Sequence, residues 1–83
     1  MNLNLNKMNY IDLGKEEVVI VGEEEIIMTL AQFKILAKGI VEGEDVKLLE
    51  VSVDVGDTEI YFYNDETEIM VPRSQALEVI ELL

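Results

Sequence analysis

Apolar and polar residues alternate over 51–55, where valine at every second position is separated by serine and aspartate. This period of two is expected of a strand with one buried face. A β-branched and aromatic run over 59–63 and an apolar run over 68–71 follow, and residues typical of turns precede each of them. The second half of the chain is therefore predicted to begin with a three-stranded antiparallel meander.

The first half carries segments of the same kind. Apolar residues over 9–13, 17–21 and 25–28 predict three strands, with a glycine in each intervening turn. Residues 2–6, where asparagine alternates with leucine, predict an additional edge strand.

A helix is predicted after the third strand because Thr29, followed by Gln32, forms a capping-box sequence. Gly43 is expected to end this helix, and Gly39 is expected to weaken its last turn. Apolar residues recur three and four positions apart and predict one buried stripe, made of Phe33, Leu36, Ala37, Ile40 and Val41.

A second helix is predicted to begin with Pro72 at its first position and to continue to Leu83. Its buried stripe is expected to consist of Ala76, Leu77, Ile80 and Leu83, widened by Val79 and Leu82. A stripe this wide is expected either to be covered by the core or to contact a partner subunit.

The two halves of the chain also resemble each other in sequence. An offset of 42 superimposes residues 9–41 on 51–83 without a gap, and six positions are identical, among them Asp12 with Asp54. A duplication would explain this, and so would two strand-and-helix segments that need the same apolar pattern. We predict a single domain over 1–83 of the α+β class, with an antiparallel sheet from two tandem β-β-β-α units and both helices packed on one sheet face.

Composition excludes most catalytic chemistries. The 83 residues include no cysteine, histidine or tryptophan, so the usual thiol and imidazole catalysts and zinc ligands are missing. The carboxylates over 54–65 do not have EF-hand spacing, because a strand is predicted through their middle. We therefore expect no enzyme activity, no catalytic residue, no cofactor and no metal site.

Residues 1–13 contain no apolar run long enough for a signal peptide or a membrane span. We therefore expect a cytoplasmic protein.

Charge gives the strongest indication of function. Asp and Glu number 18 against 6 Lys and Arg, for a net charge of -12. Residues 42–68 hold ten of these acids and one base, and so carry -9 of that charge. Long-range repulsion opposes direct binding to nucleic acid or to anionic membranes and favours a basic protein surface as partner. Solubility alone would also explain the acidity.

One segment is similar to a known family. Gly14-Lys15, the apolar strand around Val19 and the stretch 24–30 before a helix resemble the start of the phage-type uracil-DNA glycosylase inhibitor, over residues 14–41. Members of that family mimic DNA and fill the basic cleft of the enzyme. Similarly acidic composition is found in small anti-defence inhibitors of phages.

The resemblance implies particular contacts. Glu24 and Glu25 would reach the DNA-binding cleft of the target from an edge strand. Met28, Phe33 and Leu36 would lie near an apolar pocket that receives a side chain of the target.

Two functional hypotheses follow. The first is a small acidic inhibitor that binds a nucleic-acid-processing enzyme by DNA mimicry, either a uracil-DNA glycosylase or a phage-defence nuclease. The second is a non-enzymatic adaptor or homodimerisation module, whose contacts would be Val79, Leu82, Leu83 and the face of Tyr61 and Tyr63. For the first hypothesis, the partner-binding residues are predicted to be Glu23, Glu24, Glu25, Met28, Phe33, Leu36, Glu44, Asp45, Asp54, Asp57, Glu59, Asp65, Glu66 and Glu68.

Overall fold

A computed structural model of the chain describes residues 8–83. The predicted edge strand over 2–6 lies outside these residues. The strands and helices, in chain order, are β1 (Tyr10–Leu13), β2 (Glu17–Val21), β3 (Glu25–Thr29), α1 (Leu30–Glu42), β4 (Val46–Lys47), β5 (Ser52–Val55), β6 (Glu59–Tyr63), β7 (Glu68–Pro72) and α2 (Arg73–Ile80).

The predicted α+β class is confirmed. The strands form two antiparallel sheets, in the orders β1-β2-β3 and β4-β5-β6-β7, where one antiparallel sheet was predicted. Strand β4 was not predicted, because its two residues are too short to display a period. Neither helix described in residues 8–83 has the length and apolar composition needed to cross a membrane.

Helix α1 begins and ends as its sequence predicts. The Thr29 hydroxyl accepts the N–H of Gln32 at 3.0 Å, and the Gln32 side-chain oxygen accepts the N–H of Thr29 at 2.9 Å. This is a complete capping box. Gly43 follows the helix with a φ of 76°, and the Glu44 N–H donates to the carbonyl of Gly39 at 2.8 Å.

Helix α2 differs from the prediction at both ends. Pro72 is the N-cap residue and not the first helical residue, so the helix begins one residue later than predicted. The Arg73 N–H donates to the Thr58 carbonyl at 2.9 Å. The helix ends at Ile80, so Leu83 lies beyond it and is exposed. The buried side chains of α2 are Ala76 and Val79.

The two β-β-β-α units have the same strand register. Tyr10 pairs with Val21 in the first unit, and Ser52 pairs with Tyr63 in the second, an offset of 42 at both partners. From the third strand onward the offset becomes 43, since the β6–β7 turn has four residues, 64–67, where the β2–β3 turn has three. The gap-free sequence alignment at offset 42 therefore pairs residues of β7 and α2 with the wrong partners, shifted by one position.

The two units share one hydrophobic core. Helix α1 packs against β2 and β3 of its own unit and against β5 of the second, while α2 packs against β6, β7 and β1. The largest fully buried side chains are Phe33 and Phe62, one from each unit. Each helix therefore covers part of the other unit's sheet.

The sheets meet where β1 runs beside β7. Their backbones are not paired as a ladder there, and side chains make the connection. The Asn9 amide donates to the carbonyl of Met70 at 2.9 Å, and the Ile11 N–H donates to the side-chain oxygen of Gln75 at 3.2 Å. Both bonds satisfy backbone groups at strand edges that would otherwise lack a partner.

Gly39 has a packing role that helix propensity does not reveal. A Cβ atom at this buried position would collide with the side chain of Val46 and lie 2.8 Å from the carbonyl oxygen of Glu44. The glycine therefore lets the chain that leaves α1 fold back closely against the helix.

We predict that Gly39→Ala lowers the free energy of unfolding by about 1–3 kcal/mol, because overpacking outweighs the gain in helix propensity. Urea denaturation would measure this change. In a Val46→Ala background the loss should be smaller but not zero, since the side-chain obstacle is removed and the Glu44 carbonyl remains. An increase in stability for Gly39→Ala would contradict the packing role.

Candidate functional site

Two acidic turns from different units meet in one open cleft of about 800 Å³, which we call the acidic cleft. The β2–β3 turn contributes Glu23 and Glu24, and the chain entering β7 contributes Glu66 and Glu68. All four side chains are exposed. The remaining lining residues are Asn9, Thr67 and Ile69.

The β6–β7 turn has a fixed conformation because of Asn64. Its side-chain oxygen accepts the N–H groups of Glu66 and Thr67, both at 2.8 Å. The Asn64 N–H donates in turn to the carbonyl of Thr67 at 3.0 Å. An asparagine side chain that bonds the backbone two and three residues later is a common turn-forming device, and here it orients Glu66.

Gly22 allows the two turns to approach each other. A Cβ atom at this position would lie 3.1 Å from the Asn9 side-chain oxygen and 3.1 Å from the Cγ2 of Ile69. These distances are tighter than ordinary side-chain contacts. Together with the bond from Asn9 to Met70, they place the β2–β3 turn directly against β7.

The acidic surface continues onto the outer face of the four-stranded sheet. A second cleft of about 480 Å³ shares Glu66, Thr67 and Glu68 with the acidic cleft and adds Asp54 and Tyr63. The Tyr63 hydroxyl donates to a carboxylate oxygen of Asp54 at 3.2 Å. The phenol thus holds the half-buried Asp54 carboxylate in place beside the cleft.

A parallel arrangement is found at Tyr61. Its hydroxyl donates to a carboxylate oxygen of Glu59 at 3.2 Å. This hydrogen bond, the negative charge of Glu59 and, less strongly, partial burial and the charge of Glu68 raise the pKa of Tyr61 above its ordinary value. The phenol therefore keeps its proton, and its role as a donor, to a higher pH than an ordinary tyrosine does.

Other predicted acids lie apart from the acidic cleft. Glu25 is exposed at the start of the edge strand β3, and Glu44 and Asp57 are exposed in turns. Asp45 accepts the N–H of Val55 at 2.8 Å and so has a structural role. Asp65 does not line the acidic cleft but an adjoining shallow surface with Leu49 and Glu50, which shares Glu66 with the cleft.

The predicted apolar contacts with a partner are not at the surface. Phe33 and Leu36 are fully buried and Met28 is 3% exposed. The reason is that Met28 points inward from β3 and the other two lie on the stripe of α1 that faces the core. We therefore exclude these three residues from the candidate site. Val79, predicted as a subunit contact, is also buried in the core at 8% exposure.

Sequence reasoning missed the uncharged parts of the site. Asn9 and Thr67 line the acidic cleft, and neither carries a charge that would have marked it as a candidate. The turn sequence beginning at Asn64 was the available signal, since asparagine there bonds its own turn. Among residues 8–83, no three carboxylates come together in an arrangement that could hold a metal ion.

Comparisons with protein-family models, with curated proteins and with solved structures find no match to this chain. The similarity of residues 14–41 to the uracil-DNA glycosylase inhibitor therefore stays a prediction.

We predict that Glu59→Gln lowers the pKa of Tyr61 toward its ordinary value, because the amide removes the negative charge that opposes tyrosinate. NMR titration of protein labelled in its tyrosine rings would measure the shift. Because the folded pKa is raised, the Tyr61 contribution to stability is present below the ordinary pKa and is lost as the pH rises through the folded value.

The control for this experiment is Glu17→Gln, which alters the equivalent carboxylate of the first sheet. It should leave the pKa of Tyr61 unchanged. An equal shift in both variants would mean that Tyr61 responds to overall charge and not to its bond with Glu59.

Proposed function

We propose that this protein binds the basic surface of a nucleic-acid-processing protein and inhibits it by occupying the place of nucleic acid. The proposal depends chiefly on one observation, the meeting of Glu23 and Glu24 with Glu66 and Glu68 in a single cleft. Carboxylates grouped in this way offer lysine and arginine the same kind of partner that phosphates do.

The four carboxylates of the cleft are exposed, so in the free protein water and salt screen the repulsion between them. Like charges that the fold brings together still repel each other and lower stability slightly. Bringing a basic surface against the cleft removes this repulsion and adds charge-assisted hydrogen bonds. A gain of this kind occurs on binding and supports a role in recognition.

The overall charge of the protein also supports binding to a basic surface. With a net charge of -12, the protein would be steered toward basic surfaces over distances of about one Debye length, which is ~10 Å at 0.1 M salt and ~3 Å at 1 M. Association should therefore be fast and sensitive to salt. The same charge disfavours direct binding to nucleic acid, and a cytoplasmic location would give access to such a partner.

We also propose that the protein acts without catalysis. The sequence offers no histidine or cysteine to act as base or nucleophile. The hydroxyls of Tyr61 and Tyr63 bond carboxylates and serve to hold them.

We predict that the double reversal Glu24→Lys and Glu66→Lys weakens binding to the partner by at least about tenfold in Kd, since it changes the sign of both walls of the cleft. The partner would first be captured from bacterial lysate on immobilised protein and released with duplex DNA. Binding of the purified partner would then be measured at low and high salt.

The matched control reverses two exposed acids, Glu78 on α2 and Glu81 directly after it, and changes the net charge equally. It should bind almost as well as the unaltered protein. Equal weakening by both double variants would place the interaction outside the cleft. Capture of proteins that duplex DNA cannot displace would contradict mimicry.

A second candidate function, self-association, is favoured by two exposed leucines. Leu82 is 73% exposed and Leu83 is 46% exposed, and both follow α2. Large apolar side chains exposed side by side are typical of protein interfaces.

If these leucines mediate self-association, the double variant Leu82→Ser and Leu83→Ser should be a monomer at concentrations where the unaltered protein is a dimer. Sedimentation velocity would measure this. An unaltered protein that sediments as a monomer throughout would contradict the second candidate.

A further inference from the structure

The outer faces of the two sheets carry acids at equivalent positions. In the first sheet the outward-pointing acids are Asp12, Glu17 and Glu25. The shared register places Asp54, Glu59 and Glu68 at the same three positions of the second sheet.

The centres of both faces are apolar. Val19, Val21 and Ile27 occupy the outward positions of the first sheet, and Tyr61, Tyr63 and Met70 occupy the equivalent positions of the second. Ile27 is 61% exposed and Met70 is 42% exposed. The open face of an antiparallel sheet is ordinarily polar, so an apolar centre on both outer faces is typical of docking surfaces.

We propose that these two faces are two copies of one docking surface, and that one chain binds two basic protein surfaces at the same time. The first face consists of Asp12, Glu17, Val19, Val21, Glu25 and Ile27. The second face consists of Asp54, Glu59, Tyr61, Tyr63, Glu68 and Met70. The inference rests on the proposed function and specifies its partner, which presents paired basic sites as a twofold-symmetric protein does.

Charge complementarity identifies the occupant. Outward positions of the six strands that carry the two faces include six acids and no lysine or arginine. Arginine fits this chemistry because its guanidinium bonds carboxylates with two parallel N–H groups and its stem packs on apolar side chains. A second copy of this chain does not fit, because its net charge is also -12.

The faces differ in their centres, which predicts unequal affinity. A guanidinium is attracted to the ring face of tyrosine. The second face has Tyr61 and Tyr63 at its centre, whereas the first face has one tyrosine, Tyr10, on its edge strand opposite Val21. The second face should therefore bind arginine-bearing segments more tightly than the first.

The experiment uses the full chain and a short synthetic peptide in which arginine alternates with valine. NMR titration of nitrogen-labelled protein would locate binding, and isothermal titration calorimetry would give the stoichiometry. We expect one peptide at each face, identified by the signals that shift, with the second face saturating first. A further peptide at the acidic cleft, identified by the signals of Glu23 and Glu24, is counted separately from these two.

Three matched variants remove equal charge. The first variant should abolish binding at the first face only, and it combines Asp12→Asn, Glu17→Gln and Glu25→Gln. The second variant should abolish binding at the second face only, and it combines Asp54→Asn, Glu59→Gln and Glu68→Gln. Glu42→Gln with Glu78→Gln and Glu81→Gln should leave a peptide bound at each face. If a triple variant fails to fold, single substitutions take its place: Ile27→Ser should weaken binding at the first face and Met70→Ser at the second. Both side chains are exposed, so neither substitution disturbs the core.

The remaining outcomes overturn the inference. One peptide per chain, located at the acidic cleft, would refute the two faces and leave the proposed function standing. Loss of binding in the Glu42, Glu78 and Glu81 variant would mean that charge alone attracts the peptide. Shifts at the faces on concentrating the protein alone would make a second copy the occupant. Failure of the peptide to bind, together with capture of no nucleic-acid-binding protein, would refute the proposed function as well.

Discussion

Separation of the charges from the core is the constraint on which this structure depends. With 18 acids in 83 residues, electrostatics opposes compaction, so stability must come from the burial of apolar side chains. The core satisfies this requirement, since no charged side chain among residues 8–83 is buried and Ser52 is the only buried polar one. All of the acids are thereby left at the surface, where their arrangement is free to serve recognition.

Local signals in the sequence predicted local structure well. Thr29, Gln32 and Gly43 set the ends of α1 through hydrogen bonds within a few residues. Alternation over 51–55 and apolar or β-branched runs between turn residues located six of the strands. Features that depend on distant residues were not predictable in this way. The closeness of Gly39 to Val46 is one example, and the extra residue in the β6–β7 turn is another. Each is decided by packing in three dimensions.

The same distinction applies to the candidate site. Charge runs identified Glu23, Glu24 and Glu66 as exposed acids in turns, but not that they share a cleft, because this follows from β1 lying beside β7. The family resemblance assigned Phe33 and Leu36 to a partner, whereas their helical spacing assigned them to a buried stripe. Periodicity was the better guide, since it reflects the physics of this chain directly.

The crossed packing of the helices has a consequence for how the protein assembles. A chain with only one β-β-β-α unit could cover its sheet as seen here only by pairing with a second molecule, and its stability would fall on dilution. Joining both units in one polypeptide through residues 43–51 makes that encounter intramolecular, at a high effective concentration. The fold therefore persists at whatever low abundance the cell maintains.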